Sequence, residues 1–181
     1  KGKGVYLPNN CTEAISSINE LYEHNKESYE GILVEKKLIG TEVSVLAFCN
    51  GNESFLMPQA QDYKRIYDND NGPNTGGMGA ICPVNILNTK ELLEVKSYTD
   101  SIVRTLNYTG VLYAGIIKNN NGIHFLEFNC RFGDPETQVI LNLLDTDLET
   151  IIINMINNCK LNIKWNNAFA AAVVLSHKNY P

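Results

Sequence analysis

Alternation of apolar and polar residues is clearest in two stretches. Between Gly122 and Gln138 (GIHFLEFNCRFGDPETQ), Ile123, Phe125, Glu127 and Asn129 alternate with His124, Leu126, Phe128 and Cys130, the period of a β-strand. Over Thr41–Cys49, Val43, Val45 and Ala47 alternate with Glu42, Ser44 and Leu46, and Asn50-Gly51-Asn52 turns the chain back through Glu53–Met57 as a hairpin. Shorter apolar runs predict strands at Val5–Leu7, Ile32–Glu35, Val111–Lys118 and Phe169–Leu175. Helical spacing predicts one helix from Thr12 to about Lys26 and a second from Asn88 or Thr89 to about Leu106. In the second, Leu92, Leu93, Val95, Ile102, Val103 and Leu106 face mostly inward. A third covers Glu136–Asn158. This order reads as α+β, an antiparallel sheet with helices packed to one side.

Residues 58–85 break the pattern. They carry few apolar residues and no period, which predicts a long loop, a feature that is usually functional or disordered. The loop combines Asp62, Lys64 and Arg65 with Gly72-Pro73-Asn74-Thr75-Gly76-Gly77-Met78-Gly79. Glycines at this density let main-chain donors come close to an anion. The opening Lys1-Gly2-Lys3-Gly4 reads either as the end of a phosphate-approaching loop or as a charged, flexible end; it is not a P-loop.

Composition narrows the classes. With 181 residues and 44% hydrophobic content the chain can bury a substantial core. A net charge of −5 offers no basic stripe, so nucleic acid is not an expected partner. No run approaches 18 apolar residues, so no membrane partner is expected either. Cys11, Cys49, Cys82, Cys130 and Cys159 are dispersed and form no CxxC pair. They argue for small buried side chains in a reducing compartment, with the cytoplasm as the expected location.

The candidate chemistry centres on Glu127, Asn129 and Arg131. Period-two geometry places Glu127 and Asn129 on one face, roughly 6–7 Å apart at Cα. A carboxylate beside an amide oxygen suits a hard cation that also holds phosphates, and an arginine adds bidentate anion contacts. On spacing alone, an edge strand with polar residues in solvent explains the same pattern equally well. Glu35 and Glu42, flanking a short link, likewise read by spacing as two solvent-facing glutamates.

Taken together, GKGV (2–5), VEKKLIGTEVS (34–44), AQDYKR (60–65), GPNTGGMGA (72–80), YTGVLYAG (108–115) and LEFNCRFGDPETQ (126–138) resemble the glycinamide ribonucleotide synthetase family of the ATP-grasp superfamily. The resemblance implies an ATP-dependent carbon–nitrogen ligase of purine synthesis. Such an enzyme joins glycine to 5-phosphoribosylamine through glycyl phosphate. It implies ATP with Mg²⁺ or Mn²⁺ as cofactors and Glu127 and Asn129 as metal ligands. Lys3, Glu35, Lys36, Leu38 and Glu42 would hold the nucleotide: backbone of 35–38 on adenine, Glu42 on ribose. Arg131, Lys64 and Arg65 would serve catalysis, and Asp62, Asn74, Thr75, Gly76 and Gly77 the substrates. Residues 1–165 would form most of an ATP-grasp domain lacking its amino-terminal part, and 166–181 the start of a carboxy-terminal domain, with further domains of a parent chain as partners. Lys1 replaces a usual small residue, Tyr63 a common histidine, and the 23–31 linker is shorter than is usual. The competing readings are another ATP-grasp ligase and a nucleotide-binding fragment without catalysis.

Overall fold

The alternation in Thr41–Asn50 (β1) builds the central strand of a four-stranded antiparallel sheet. Its neighbours are Ser54–Leu56 (β2) on one side and Thr109–Asn119 (β7) on the other, with Gly122–Asn129 (β8) at the far edge. The remaining elements are Cys11–His24 (α1), Gln61–Asp62 (β3), Arg65–Tyr67 (β4), Asn71–Asn74 (β5), Gly79–Cys82 (β6), Thr89–Leu106 (α2), Glu136–Ile140 (α3), Leu148–Ile156 (α4) and Ala170–Val173 (β9). The computed structural model describes residues 5–24 and 31–180, in two compact units that divide between Ile39 and Gly40. Lys3, its glycine-rich loop and the end of the first helix lie outside the described residues.

In the amino-terminal unit, α1 opens on Asn10, whose side chain accepts from the Glu13 N–H at 2.9 Å, while Glu13 reaches back to the Asn9 N–H at 2.8 Å. This reciprocal pairing satisfies the Glu13 N–H, an orphan donor of the first turn, and ties down the residue before the cap. The strands expected at Val5–Leu7 and Ile32–Glu35 are absent. A strand needs a ladder partner, and within the described residues of this unit neither segment has one; Leu33 and Val34 stand exposed.

The carboxy-terminal unit contains three sheets and two helical layers. Val43, Val45, Ala114 and Ile116 point to one face of the main sheet and pack with Val95 of α2. Leu46, Phe48 and Tyr113 point to the other face and pack with Val139, Ile140, Ile151 and Met155 of α3 and α4. The α+β architecture with antiparallel sheets is as expected, with one refinement: helices cover both faces of the sheet, because both faces of β1 are apolar at its centre. α2 follows its predicted bounds because Asn88 and Glu91 form a capping box and Asn107 closes the helix in the left-handed region. Within it Thr99 is buried, whereas Leu93 and Leu106 are exposed.

Two expectations change here. The helix expected over 136–158 is broken into α3, a 3₁₀ turn at Leu141–Leu143, and α4. Asp147 starts α4 afresh by accepting from the Thr150 N–H at 2.8 Å, and Asp145 N–H turns aside to the Lys164 carbonyl. The aperiodic loop is largely paired: β3 and β9 flank β6 in a three-stranded sheet, and β4 and β5 form a hairpin. Asn69 and Asp70 carry that hairpin's turn at φ of 57° and 58°, a region these two side chains enter more readily than most. β9 continues the sheet beyond β6, so residues 170–173 are built into this unit.

Candidate functional site

The site face of the main sheet is set by register. Ser44 lies opposite Gly115, and Gly115 opposite Glu127; Leu46 lies opposite Tyr113, and Tyr113 opposite Asn129. Residues directly opposite on antiparallel strands share a face. Glu127 and Asn129 therefore project from the face that carries Ser44 and Tyr113. The predicted alternation is interrupted by a bulge: Phe125 pairs with Ile116 and Glu127 with Gly115, so Leu126 is the extra residue. The bulge turns Ile123 and Phe125 toward α2, where they join Val95's cluster, and leaves the two oxygen-bearing side chains on the opposite side. It also brings Phe125 and Phe128 onto one face, stacked at 5.2 Å.

Gly115 makes a notch in the middle of this face. A Cβ there would stand 3.3 Å from the Glu127 Cγ and 3.4 Å from the Tyr113 ring. Glu127 is exposed and Asn129 half-buried, and among the described residues neither engages a side-chain hydrogen bond or ion pair. Nor do the described residues contain a cluster of three or more His, Cys, Asp or Glu able to cage an ion. Two free hard oxygens beside a notch fit a divalent cation that takes its remaining ligands from water and phosphate. Arg131 is exposed and donates to the carbonyl of Phe132 at 2.8 Å, with other N–H groups remaining.

Across the same face the polar groups interlock. Lys64 Nζ meets Glu42 Oε2 at 2.6 Å. Burial pulls the Lys64 pKa down, but the Glu42 carboxylate outweighs it and holds the ammonium above its ordinary value. Ser44 Oγ donates to Glu136 Oε1 at 2.7 Å and lies 3.0 Å from the Tyr113 hydroxyl. Glu136 is only 2% exposed. Backbone bonds between Ser44 and Ala60, 2.8 and 3.0 Å, hold the start of β3 against β1 and bring Asp62 to this cluster. Among the described residues, Asp62 Oδ1 is enclosed without a hydrogen-bond partner. Burial first, then the charge of Glu136, pushes the Asp62 pKa up to about 7.

The glycine-dense segment is held by its own side chains. Thr75 is buried and donates its N–H and hydroxyl to the Lys64 carbonyl, each at 2.8 Å, while its Oγ1 accepts from the Gly77 N–H at 3.0 Å. Gly77 adopts φ of 119°, and a Cβ there would lie 2.4 Å from Pro135 Cδ and 2.8 Å from Asp62 Oδ1. Only glycine fits. The Gly76 N–H donates to the Tyr180 hydroxyl at 3.0 Å. Arg65 lies opposite Asn74 and donates to the Gly72 carbonyl at 2.6 Å, which gives it a part in holding the β4–β5 turn.

Of the residues singled out from sequence, Glu42, Asp62, Lys64, Thr75, Gly77, Glu127 and Asn129 belong to this unit and surround or share one sheet face. Glu35, Lys36 and Leu38 belong to the amino-terminal unit, where the neighbouring Lys37 donates to Asn9 Oδ1 at 3.0 Å. Sequence reasoning missed Glu136, Ser44, Tyr113 and Gly115. Glu136 had one signal, an acidic side chain directly after Asp-Pro at a helix start, and that signal also describes an ordinary exposed first-turn acid.

The fold is that of the ATP-grasp enzymes. A biotin carboxylase of Campylobacter jejuni superimposes with a TM-score of 0.72 at 13% identity, over 94% of this chain and 38% of that one, a likeness of fold alone. The chain belongs to the family described as phosphoribosylglycinamide synthetase, ATP-grasp (A) domain, whose model matches residues 1–137. It is 44% identical to the trifunctional purine biosynthetic protein adenosine-3 of Chironomus tentans, over 99% of this chain and 14% of that protein. It is 40% identical to the phosphoribosylamine–glycine ligase of Streptococcus pneumoniae, over 99% of this chain and 45% of that protein. The solved phosphoribosylamine–glycine ligase of Thermotoga maritima superimposes with a TM-score of 0.81 at 32% identity, over 99% of this chain and 48% of that one. The chain thus spans less than half the length of these relatives. No helix among the described residues is long and apolar enough to cross a membrane.

Proposed function

We propose that the protein carrying this chain is a phosphoribosylamine–glycine ligase. It joins glycine to 5-phosphoribosylamine at the expense of ATP, in de novo purine synthesis in the cytoplasm. The carrying observation is identity of 40–44% over 99% of the chain to relatives named for this activity or for the multifunctional purine protein. The site chemistry supports the same reading. Phosphoryl transfer to a carboxylate needs positioned charge rather than a nucleophilic side chain. The face offers two oxygens unengaged among the described residues and the Lys64–Glu42 pair, and exposed Arg131 follows two residues after Asn129.

In this reading Glu127 and Asn129 hold Mg²⁺ or Mn²⁺, which when bound neutralises phosphate charge. Glu42 takes the ribose hydroxyls while still paired with Lys64, and the 35–38 backbone, with Glu35, Lys36 and Leu38, takes adenine. Lys3 covers the phosphates. Arg131 and Lys64 stabilise the transferring phosphoryl group and the acyl phosphate; Arg65 supports them while bracing its turn. Asp62, Asn74, Thr75, Gly76 and Gly77 line the substrates. Residues 166–181 lead into the carboxy-terminal domain, and the remaining domains of a longer chain complete the enzyme.

The test is ADP release from Mg·ATP by the complete polypeptide, with glycine and 5-phosphoribosylamine supplied singly and together. Release that requires both supports the proposal. Release with bicarbonate or another carboxylate instead would replace the named substrates.

A further inference from the structure

We infer that Glu136 is a positioning residue for Asp62, and that Asp62 accepts the proton released when the amine nucleophile attacks the acyl phosphate. The second half rests on the ligase reading above. Glu136 is clamped: it begins α3, is 2% exposed, and is bonded through Oε1 to Ser44 Oγ, which lies 3.0 Å from the Tyr113 hydroxyl. Such a carboxylate cannot swing to solvent. Asp62 lies two residues past the Ser44–Ala60 bridge, on the β3 strand that this bridge holds against β1. Its Oδ1 is fully enclosed, has no partner among the described residues, and lies with Pro135 against the place a Cβ on Gly77 would take. An enclosed oxygen without a donor, beside the Pro135 that precedes buried Glu136, is poorly placed for a structural ion pair and well placed to bind a proton.

The charged and titratable groups facing Asp62 are Glu136 from α3, Glu42 from β1, Lys64 two residues along its own segment and Tyr113 from β7. Lys64 is already committed to Glu42, so it offsets Asp62 only in part. Burial and then Glu136 raise the Asp62 pKa to about 7, where a carboxylate can take up an amine proton efficiently near neutrality. In the proposed step the amine nitrogen forms a bond to the acyl carbon. The carbon–oxygen bond to phosphate breaks, phosphate leaves with the bonding pair, and the nitrogen's proton passes to the Asp62 carboxylate. Asp62 must therefore be ionised beforehand, so kcat/KM rises with pH through about 7.

Two readings test this on the complete polypeptide. Carbon-13 NMR of aspartate-labelled protein, with the Asp62 signal assigned by its loss in Asp62→Asn, gives the wild-type titration directly. A midpoint near 7 is expected, and one in the ordinary carboxylate range, about 4, overturns the inference without any other variant. Glu136→Gln keeps an oxygen for Ser44 and removes the charge. It should move the Asp62 midpoint and the acid limb of kcat/KM downward together, by about one pH unit. A lowered rate with an unmoved limb and an unmoved midpoint means Glu136 is merely structural. A midpoint that moves while the limb stays leaves Asp62 outside the proton transfer and overturns that half. Wild-type protein that releases no ADP with both substrates refutes the ligase reading, whereas the NMR titration still decides the Glu136–Asp62 coupling.

Discussion

On a single sheet face, the half built on β1 and β3 is interlocked while the half built on β8 is bare. Glu42, Lys64, Ser44, Tyr113 and Glu136 all spend hydrogen bonds on one another at 2.6–3.0 Å. Glu127 and Asn129, on the same face across the Gly115 notch, spend none among the described residues. Polar groups that satisfy each other contribute to the fold and fix geometry in advance; polar groups left to solvent contribute little until a ligand arrives. The difference predicts that mutations in the two halves will separate activity from stability.

The sharpest break should come at Glu127. Glu127→Gln keeps shape and removes the only carboxylate proposed for the cation, so metal-dependent ADP release should fall by roughly 10²–10³-fold or more. Because the wild-type side chain has no partner among the described residues, the melting temperature should stay within about 1 °C. Steady-state kinetics beside a thermal melt reads both; a normal rate would remove Glu127 from the site.

Gly77→Ala should do the reverse. A methyl group would press 2.4 Å from Pro135 Cδ and 2.8 Å from Asp62 Oδ1, at a φ of 119°. Overpacking plus backbone strain should cost about 2–4 kcal/mol in a urea or guanidinium unfolding series. An unchanged midpoint would mean that the loop, rather than the interlocked half, absorbs the strain.

Much of this layout can be read from the chain, and the failures have physical reasons. α2 was legible because capping residues and apolar period agree. β1 and β7 were legible because alternation at the start of β1 and the apolar run Val111–Lys118 both survive in the ladder. The bulge at Leu126 was not: one extra residue leaves the local pattern intact and only reveals itself in the register with β7. Short β3 to β6 were not: β6 finds β3 and β9 only at a distance in sequence, and β4 and β5, though adjacent, carry mostly polar residues. The Asp147 cap was hidden inside an apolar period that ran through it. Within the candidate site, spacing put Glu127 and Asn129 on one face without deciding between a cation and solvent, whereas the burial of Glu136 is not encoded by its sequence position.

Asp62 sharpens the contrast through pH. Its folded-state pKa of about 7 lies above the ordinary 3.8, so between those values the folded protein binds more protons than the unfolded chain. Stability contributed by protonated Asp62 is therefore present below pH 4 and lost as pH rises through 7. Asp62→Asn, which cannot ionise, should be more stable than wild type at pH 8 by roughly 1–2 kcal/mol, discounted from the full shift because the residue is only partly buried. The gain should vanish by pH 4. Chemical denaturation at the two pH values measures it; equal differences at both would show that Asp62 is not the titrating group.

The smallest effect belongs to the Lys64–Glu42 pair. Its 2.6 Å geometry looks strong, but the two side chains are 35% and 47% exposed, and exposed pairs are worth only about 0–1 kcal/mol. Lys64→Met should thus shift unfolding by less than about 1 kcal/mol, with the Met retaining the apolar stem's packing. Salt is the discriminating variable: raising ionic strength should narrow even that gap, since a partly solvated pair is screened. A loss of several kcal/mol that persists in high salt would place the pair among the groups that build the fold. The interlocked half would then extend from Glu136 to Glu42 as one unit. A small, salt-sensitive loss leaves Lys64 and Glu42 at its margin, already loosened enough for Glu42 to share its carboxylate with a ribose.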